Sequence, residues 1–542
     1  MLGLTLQPSL LGQTTAPAEN LVPNGGFEEK DPSGAPVAWG KGDPEKGLSW
    51  QEEAGEHFMR LVSQDPGKAQ MLYRVVPLPA GLKGMEVTFR YRTASVVKGD
   101  KPPGDARAIM HYQQAGGKKI EPAPPAITFS PNKKEWTEVT KRFLVPAGAT
   151  ALEMMPGLWN VKSGTLDIAE IRVKPMTDTE VAAMLKAKDD EKALQEKREA
   201  IIAKEMTLPS KSVELKVSGN KVLGPDGKPV WLQGLCVDSM EWSYGERVQW
   251  SLHVAIDEWK SNAIRLPVSR KFWFGKAPYQ KPGSEEEYRK KVDEAVKLVS
   301  TKGGWLVLDL HGFGAPTEGD LAFWKDAAAR YKNNPAVIFE LFNEPHGISW
   351  KIWRDGGNVK SPENVSTDVN PSENSLKLDR DIAIGMQTLI NAVRETGAKN
   401  IIIAGGVDWG YDLTGVVNAP LNDPSGNGII YSSHIYPWKK DWQPKVLDAA
   451  ARYPIFIGEV GTPPDYSSFS FIPMKERYPI EGWANDMIAL IQKHELHWTG
   501  FSFHPNCGPM VIKDWDYTPT PYWGIYVKEA LQGKKFELKA LR

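Results

Sequence analysis

From about Ser212 to the end of the chain, short apolar runs alternate with longer stretches of helical periodicity, and this alternation restricts the possible folds more than any other feature. A strand, a helix and a second strand in succession place the two strands parallel, so repeated units of this kind build a parallel sheet. The candidate strands number eight: Trp231–Cys236, Ala263–Pro267, Trp305–Leu310, Val337–Phe342, Asn400–Ala404, Gly428–Ser432, Pro454–Gly458 and Thr499–Phe503. Eight units in about 330 residues predict an α/β fold, a (β/α)8 TIM barrel with insertions over residues 210–542.

Helical stretches separate these runs and support the same prediction. The clearest are Glu285–Ser300, Leu321–Tyr331, Ser375–Glu395 and Glu481–His494. In a barrel of this type the active site lies at the carboxyl ends of the strands, where the loops to the helices begin. The residues that end the apolar runs are therefore those in which chemistry is expected.

Residues 20–175 have a different pattern, with short alternating runs broken by glycine and proline. In the run GMEVTFRYRTAS, Met85, Val87 and Phe89 share one face of a strand, and the intervening polar residues share the other. Near the end of the block the alternation shifts between Ile168 and Ile171, as a β-bulge would cause. This block is predicted to be an all-β sandwich.

Residues 176–209 are predicted to form a charged helical linker. From Thr177 to Met206 about half of the residues are charged and there is no proline or glycine, while Thr177 and Glu180 make a candidate capping box. A sustained heptad is missing, so we expect a monomer rather than a coiled-coil oligomer.

Residues 1–19 resemble only the end of a secretory signal, because they contain leucine and small residues but no lysine or arginine. We interpret them as a disordered tail or signal remnant, and expect a secreted or periplasmic protein.

Charge and cysteine content exclude several classes of protein. The formal net charge is -1, so there is no basic field for nucleic acid, and no apolar run reaches the length of a membrane span. Cys236 and Cys507 are the two cysteines, too few for a disulfide framework or a cysteine zinc site. They follow strands one and eight, which are neighbours in a closed barrel, so a disulfide and two free thiols both remain open.

Two of the strand-like runs lead into a glutamate: Glu344 follows the fourth run and Glu459 the seventh. Burying an ionised carboxylate costs several kcal/mol unless it is paired or hydrogen-bonded, so such positions call for a chemical reason. Two carboxyl groups about 5 Å apart across a sugar ring are what retaining glycoside hydrolysis requires, one as proton donor and one as nucleophile. Other polar or aromatic residues fall at the same strand ends: Arg265, His311, Asn343, His434, Tyr436, Phe503 and His504. The fold itself would bring these together at one barrel mouth.

The segments NAIRLPVS, LDLHG, LFNEP, HIYPW and IGEVG resemble glycoside hydrolase family five, the cellulase family, in order and over nearly all of Ser212–Arg542. The resemblance implies that Glu344 is the acid/base and Glu459 the nucleophile. It implies a supporting, substrate-binding shell of Arg265, His311, Asn343, His434 and Tyr436. The segment NLVPNGGFEEKDPSGAPVAW resembles carbohydrate-binding modules of families four and nine, which are jelly rolls.

The eighth strand departs from the pattern of that family. A tryptophan usually lies under the sugar at the cleavage point, whereas GFSFHP offers Phe503, with Phe501 as the preceding aromatic. We therefore predict that Phe503 stacks on the substrate. Further aromatic residues that follow barrel strands are expected to line an open cleft: Trp242, Trp273, Trp409, Trp438 and Trp442.

An open aromatic cleft favours a polysaccharide over a small glycoside, and a β-1,4-glucan cleaved by an endo-acting enzyme is the first choice of substrate. Mannan, xyloglucan and mixed-linkage glucan remain alternatives, because the difference lies in a few hydroxyl contacts. The alternative outside the enzymes is a carbohydrate-binding protein without catalytic activity. His311 and His434 could be metal ligands with the glutamates, but no His-Glu-x-x-His helix is present, so we expect no metal and no cofactor.

Overall fold

A computed structural model describes residues 20–541 with the exception of residues 239, 241–244, 246, 278–279, 363, 367–380, 470–471 and 478. The predicted tail, residues 1–19, lies outside this range. The chain divides into two compact units, residues 1–195 and residues 196–542.

Two antiparallel sheets form the N-terminal unit. The first has the strand order Gly42–Asp43, Leu48–Glu53, Glu56–Val62, Ser163–Pro175, Gly84–Val97 and Thr137–Leu144. The second joins Gln70–Met71, Ala151–Trp159, Asp105–Gln113 and Lys119–Ile120, with Arg74–Pro77 and Ile127–Thr128 paired to its central strands. Both sheets contribute to one apolar core, which contains Met85, Val87 and Phe89. The predicted bulge is confirmed, since the register shifts between Ile168 and Glu170.

A helix at Asp178–Met206 occupies most of the predicted linker. The capping box forms as expected: the backbone N–H of Glu180 donates to Thr177 Oγ1 at 3.2 Å, and the Thr177 N–H donates to Glu180 Oε2 at 2.9 Å. Near its other end, Ile202 is buried in the core of the C-terminal unit. In the described part of the chain, no helix is both long and apolar enough to span a membrane.

Eight parallel strands close into a barrel in the C-terminal unit, which confirms the predicted fold. They are β1 (Gln233–Cys236), β2 (Ala263–Val268), β3 (Trp305–Leu310), β4 (Val337–Glu340), β5 (Ile402–Gly405), β6 (Ile429–Ile435), β7 (Ile455–Val460) and β8 (His497–Gly500). Strand β8 ends before Phe503, because the backbone of Ser502 turns away to donate to the Pro509 carbonyl at 2.7 Å. In this structure Cys236 and Cys507 are free thiols.

Helices lie between the barrel strands. The main ones are Val248–His253, Ser284–Thr301, Glu318–Tyr331, Trp350–Asp355, Met386–Glu395, Trp483–His494 and Gly524–Leu531. The predicted helix Ser375–Glu395 begins only at Met386, and its residues 375–380 lie outside the described range. Ile382–Ile384 is instead a short strand paired with Gly356–Asn358. A Cβ on Gly385 would lie 2.4 Å from backbone atoms of residues 355 and 356, so this close approach ends the strand at a glycine.

Candidate active site

Arg265, on β2, lies at the centre of a buried polar cluster inside the barrel. Its Nε donates to Glu340 Oε2 at 2.6 Å and its Nη1 donates to Glu459 Oε1 at 2.9 Å. Its Nη2 donates to Asn343 Oδ1 at 2.7 Å and lies 3.0 Å from Asp309 Oδ2. One fixed cation therefore faces three carboxyl groups, which sets their relative positions and stabilises negative charge among them.

A β-bulge in β7 aims Glu459. Between β6 and β7 the pairing runs from Ser433 with Ile457 to His434 with Glu459, so Gly458 is an extra residue without a partner. Bulges re-aim side chains and are frequent next to active sites. The bulge at Gly458 thus directs the Glu459 side chain into the polar cluster around Arg265.

Two donors hold the Glu459 carboxylate. Besides Arg265 on Oε1, the Tyr436 hydroxyl donates to Oε2 at 2.5 Å. Burial, together with the charge of Glu459, holds the pKa of Tyr436 well above its ordinary value, so the phenol keeps its proton and remains a donor. Hydrogen bonds to the charged form favour ionisation of a carboxyl group. The two donors therefore fix the orientation of the Glu459 carboxyl group, as a nucleophile requires.

Glu344 has a different environment. Its side chain is 13% exposed, and burial raises its pKa to about 7. Nδ1 of His434 lies 3.1 Å from Glu344 Oε1. Burial lowers the pKa of His434 to about 3, so this imidazole is neutral at physiological pH. A carboxyl group that keeps its proton near neutral pH is suited to act as a general acid.

The distance between the two glutamates distinguishes the two classes of glycosidase. A carboxylate oxygen of Glu344, one of Glu459 and a ring nitrogen of His434 all lie within 4.8 Å of one another. Carboxyl groups are about 5 to 5.5 Å apart in retaining enzymes and about 6.5 to 9.5 Å apart in inverting ones. The observed proximity fits the retaining class.

Two groups of described residues place three ligand atoms close enough to hold a metal ion: Glu344 with His434 and Glu459, and Glu205 with His253 and Asp257. In the second group the Lys302 ammonium lies 2.8 Å from Glu205 and 2.6 Å from Asp257, so a cation is already supplied by the chain. In the first group Glu459 already accepts from Arg265 and Tyr436. The expectation of no catalytic metal and no cofactor stays a prediction.

His311 and Asn343 also lie in the cluster. Nδ1 of His311 is 2.7 Å from Asp309 Oδ2, and its side chain is partly exposed. The Asn343 side chain is buried, with Oδ1 bound to Arg265 and with no partner among the described residues for Nδ2. Contacts of these two residues with sugar hydroxyls stay predictions.

Trp438 and Trp409 are partly exposed near the glutamates. Phe313 is exposed as well, with its ring edge-on to His311 at 5.3 Å. The Trp438 ring stacks on Tyr436 with centroids 5.0 Å apart and planes 7° apart. Trp409 stacks on His346, two residues after Glu344, with centroids 3.6 Å apart. Trp409 has a φ of 60°, a strained conformation for a bulky residue that is found mostly at functional sites.

The structure corrects the prediction for Phe503. This side chain has no exposed surface and packs on Trp259 and Tyr517, with ring centroids 5.0 and 5.3 Å away. A sugar cannot stack on a ring that is covered on all sides, so Phe503 belongs to the core. The preceding aromatic, Phe501, lies nearer the site, with its ring edge-on to Tyr436 at 6.5 Å.

Two further tryptophans, Trp273 and Trp442, do not line the cleft as expected. Trp273 and Trp442 are fully buried, because each follows its strand onto a helical segment that packs against the barrel. Trp242 lies outside the described residues.

Sequence reasoning missed Asp309 and Glu340, which both contact Arg265. Each is a charged residue within an apolar strand, and that was the available signal. Asp309 is two residues before His311, so the two share one face of the strand. The apolar neighbours of Glu340 in VIFELF concealed it.

Comparison with known proteins identifies a family match over the barrel. The model of the cellulase family, glycosyl hydrolase family 5, matches residues 223–507. The endoglucanase of Paenibacillus polymyxa is 26% identical over 360 residues, which are 55% of this chain and 82% of that protein. The endoglucanase CelA of Streptomyces lividans is 26% identical over 264 residues, which are 46% of this chain and 49% of that protein. The chain thus spans about half the length of some of its curated relatives.

Solved structures are similar as well. One of them is a β-glucanase from Saccharophagus degradans in complex with cellotetraose, which is 24% identical in sequence and has a TM-score of 0.46. The match covers 59% of this chain and 93% of that protein.

Proposed function

The chain belongs to glycosyl hydrolase family 5, and on this basis we propose that it is a retaining endo-β-1,4-glucanase acting on a polymeric β-glucan. One observation carries the proposal: Glu344 and Glu459 have oxygens within 4.8 Å of each other and yet lie in opposite environments. Arg265 and Tyr436 each donate a hydrogen bond to Glu459, whereas burial raises the pKa of Glu344 and favours its protonated form. The endoglucanase names of curated relatives support a glucan as the substrate.

The reaction proceeds in two displacements. Glu459 attacks the anomeric carbon while Glu344 protonates the departing glycosidic oxygen, so that the glycosidic bond breaks and a glycosyl ester of Glu459 forms. The ester no longer carries the negative charge of the carboxylate. Glu344, now ionised, removes a proton from water, whose oxygen attacks the anomeric carbon and releases Glu459. Two inversions leave the β-configuration of the sugar unchanged.

The surrounding residues position these groups and the sugar. In this proposal the substrate contacts are made by His311, Asn343 and Tyr436, with Trp409 and Trp438 as platforms for sugar rings. The predicted sugar contact of His434 is not kept, because this side chain is fully buried and its Nδ1 faces Glu344. Arg265 acts on the glutamates rather than on the sugar, because its guanidinium nitrogens already donate to Glu340, Glu459 and Asn343.

Product stereochemistry and a nucleophile variant test the proposal. The native enzyme should release β-configured reducing ends from soluble carboxymethyl cellulose, observed by proton NMR before mutarotation. Glu459→Ala should lower turnover by several orders of magnitude, and azide should restore it as an α-glycosyl azide. An α-configured first product would exclude the retaining mechanism. No hydrolysis across glucans, mannans and xyloglucan would favour a carbohydrate-binding protein instead.

We further propose that the N-terminal unit is a jelly-roll carbohydrate-binding module. The face of its first sheet presents Trp136, whose ring lies 4.6 Å from the Arg92 guanidinium and meets Phe58 edge-on. Arg92 also lines a cavity of about 420 Å³ with Arg60, Asp167 and other residues. A partly exposed indole beside charged hydrogen-bonding groups suits sugar recognition.

A point variant in the full chain tests this second proposal. Trp136→Ala should lower binding to insoluble cellulose severalfold and slow its hydrolysis, while the rate on soluble substrate is unchanged, because only insoluble substrate depends on local concentration. Tyr73→Ala is the matched control, since Tyr73 is 58% exposed beside the second sheet. If Trp136→Ala binds cellulose like the native protein, this face is not the binding surface.

A polymeric substrate that cannot enter a cell also leads us to propose a secreted or periplasmic location. We propose that the enzyme acts as a monomer, since one barrel holds both glutamates. Light scattering of the purified protein and fractionation of the source cells would test these two points.

A further inference from the structure

Three polar atoms converge beside Gly458 inside the barrel. Ser432 Oγ, His434 Nε2 and Glu340 Oε1 lie 2.7, 3.0 and 3.2 Å from the position that a Cβ would take on this glycine. All three side chains are fully buried, and the Ser432 hydroxyl is close enough to Glu340 to act on its carboxyl group. Within the described part of the chain, no group outside this set offers the three atoms a hydrogen bond. Leaving buried polar atoms unpaired costs free energy, and pairing with one another is the way in which these three atoms can avoid that cost.

The two oxygens of Glu340 have different surroundings. Oε2 accepts from Nε of Arg265 at 2.6 Å, whereas Oε1 faces the atoms beside Gly458. Arg265 also contacts Asp309 and Glu459, so full ionisation of the three carboxyl groups would leave two uncompensated negative charges in the interior. A proton on one of the three reduces that cost.

Glu340 is the best placed of the three to hold a proton. Burial raises its pKa above the ordinary value, against the opposing effect of Arg265. Besides Arg265, Asp309 has the His311 ring nitrogen as a neighbour, and Glu459 accepts from the Tyr436 hydroxyl. Because Oε2 of Glu340 already accepts from Arg265, a proton on this carboxyl group would be carried by Oε1.

The protonated oxygen determines which ring nitrogen of His434 carries hydrogen. A neutral imidazole has one N–H, and its other nitrogen is an acceptor. If Nε2 accepts a hydrogen bond from the Glu340 side, the ring hydrogen must be on Nδ1, which lies 3.1 Å from Glu344 Oε1.

We propose that Glu340 is a positioning residue that remains a neutral carboxylic acid, and that its Oε1–H, directly or through Ser432, donates to Nε2 of His434 and holds the ring hydrogen on Nδ1. Nδ1–H then donates to Glu344 both when Glu344 is the acid and when it is the base. The donor orients Glu344 throughout the cycle and stabilises the carboxylate left after proton transfer. The inference about catalysis rests on the proposed glycosidase function, whereas the tautomer of His434 does not.

Charged and titratable groups from several strands face this arrangement and bear on any pH profile. Glu340 is faced by Arg265 on β2, Asp309 on β3 and His434 on β6. Around Glu344 the charged and titratable groups are Glu459, Tyr436, His311, His434, Lys439, Arg265 and Asp309. Glu459 also faces Nδ1 of His434, with its Oε2 3.8 Å away.

Nitrogen NMR of the full chain tests the tautomer without any activity. Ring-labelled histidine distinguishes a protonated from an unprotonated nitrogen, and the His434 signals are assigned by their loss in His434→Gln. His497 is an internal reference of the opposite kind, because its Nδ1 accepts the Leu232 N–H at 3.0 Å and its hydrogen must be on Nε2. We expect His434 to show an unprotonated Nε2. A pattern for His434 like that of His497 would overturn the proposal.

Two variants of Glu340 test its consequence for catalysis. Glu340→Gln keeps a neutral side chain with a donor and an acceptor, so kcat/KM should stay within about threefold of native and the alkaline limb of the pH profile should not move. Glu340→Met has similar length but no donor, so kcat should fall at least about tenfold and the alkaline limb should shift. A limb that moves to lower pH in Glu340→Gln would show that Glu340 is an ionised counter-ion, contrary to the proposal. Should Glu340→Met not fold, Glu340→Gln and the NMR measurement still decide the matter.

Discussion

At the scale of single residues, the pKa of Glu344 predicts the alkaline limit of activity. Burial raises it to about 7, so the proton that the leaving group needs is present below this pH and lost above it. On a soluble glucan, kcat/KM should therefore fall about tenfold for each pH unit above about 7. A dinitrophenyl cellobioside is the control, because its leaving group needs no proton and its rate should persist. A glucan profile that is flat to about pH 9 would contradict the assignment of Glu344 as the acid.

The same shift predicts an effect on stability. The pKa of Glu344 is higher in the folded protein than its ordinary value of 4.5, so ionisation on raising the pH disfavours the folded state. Glu344→Gln should raise the free energy of unfolding of the barrel by about 2 to 3 kcal/mol above pH 7 and leave it unchanged below about pH 4. Denaturant titrations at the two pH values measure this. A gain of equal size at both would point to packing rather than to ionisation.

Replacing Phe503 should lower stability, whereas replacing Trp438 should lower activity. Phe503 is fully buried, so Phe503→Ala should lower the free energy of unfolding by about 3 to 5 kcal/mol. Trp438 is partly exposed and stacks on Tyr436, so Trp438→Ala should cost little stability but should lower kcat/KM by about 1 to 3 kcal/mol. Thermal unfolding and kinetics on polymer separate the two effects. Native activity in Trp438→Ala would mean that this ring does not bind sugar.

At the scale of structural elements, the bulge in β7 predicts that Gly458 cannot be replaced. A Cβ there would lie 2.7 Å from Ser432 Oγ and 3.0 Å from His434 Nε2, so Gly458→Ala must displace either these side chains or the strand that carries Glu459. A displacement of about 1 Å in a reacting group costs about a hundredfold in rate, and we expect a loss of that size in kcat. Gly397→Ala is the control: its φ is 84° and no atom lies within 4 Å, so stability should fall by about 1 kcal/mol with kcat unchanged. Equal kcat in the two variants would show that the bulge does not position the nucleophile.

At the scale of the whole molecule, the two units have separate apolar cores, so they should unfold in separate transitions. Phe89→Ala, in the N-terminal core, should lower one melting temperature and leave the other, together with activity on soluble glucan, unchanged. Phe503→Ala should shift the complementary transition. Calorimetry of the full chain measures both, and a joint shift in either variant would mean that the units unfold as one.

Particular residues show how far sequence reasoning reached. Glu344 and Glu459 were found because each follows an apolar strand, and a barrel brings all strand ends to one mouth whatever the loops do. Phe503 was misassigned because sequence position alone does not tell on which side of a turn a ring is covered. Glu340 was missed because alternation along a strand does not show which charged side chain meets Arg265 inside a closed barrel.

The sequence by itself determined the alternation of strands and helices, the closed parallel barrel that this alternation requires, and the strand ends at which the two glutamates lie. The strands and helices follow from the local periodicity of apolar residues, which can be read from the sequence. The parallel barrel follows from the right-handed connections that such strand–helix–strand units adopt. Only the tertiary structure decided that Glu459 accepts from Arg265, that burial raises the pKa of Glu344 and that Phe503 is core. Burial and charge depend on groups from several strands at once, and residues such as Arg265 and Glu459, 194 positions apart, meet only when the barrel closes.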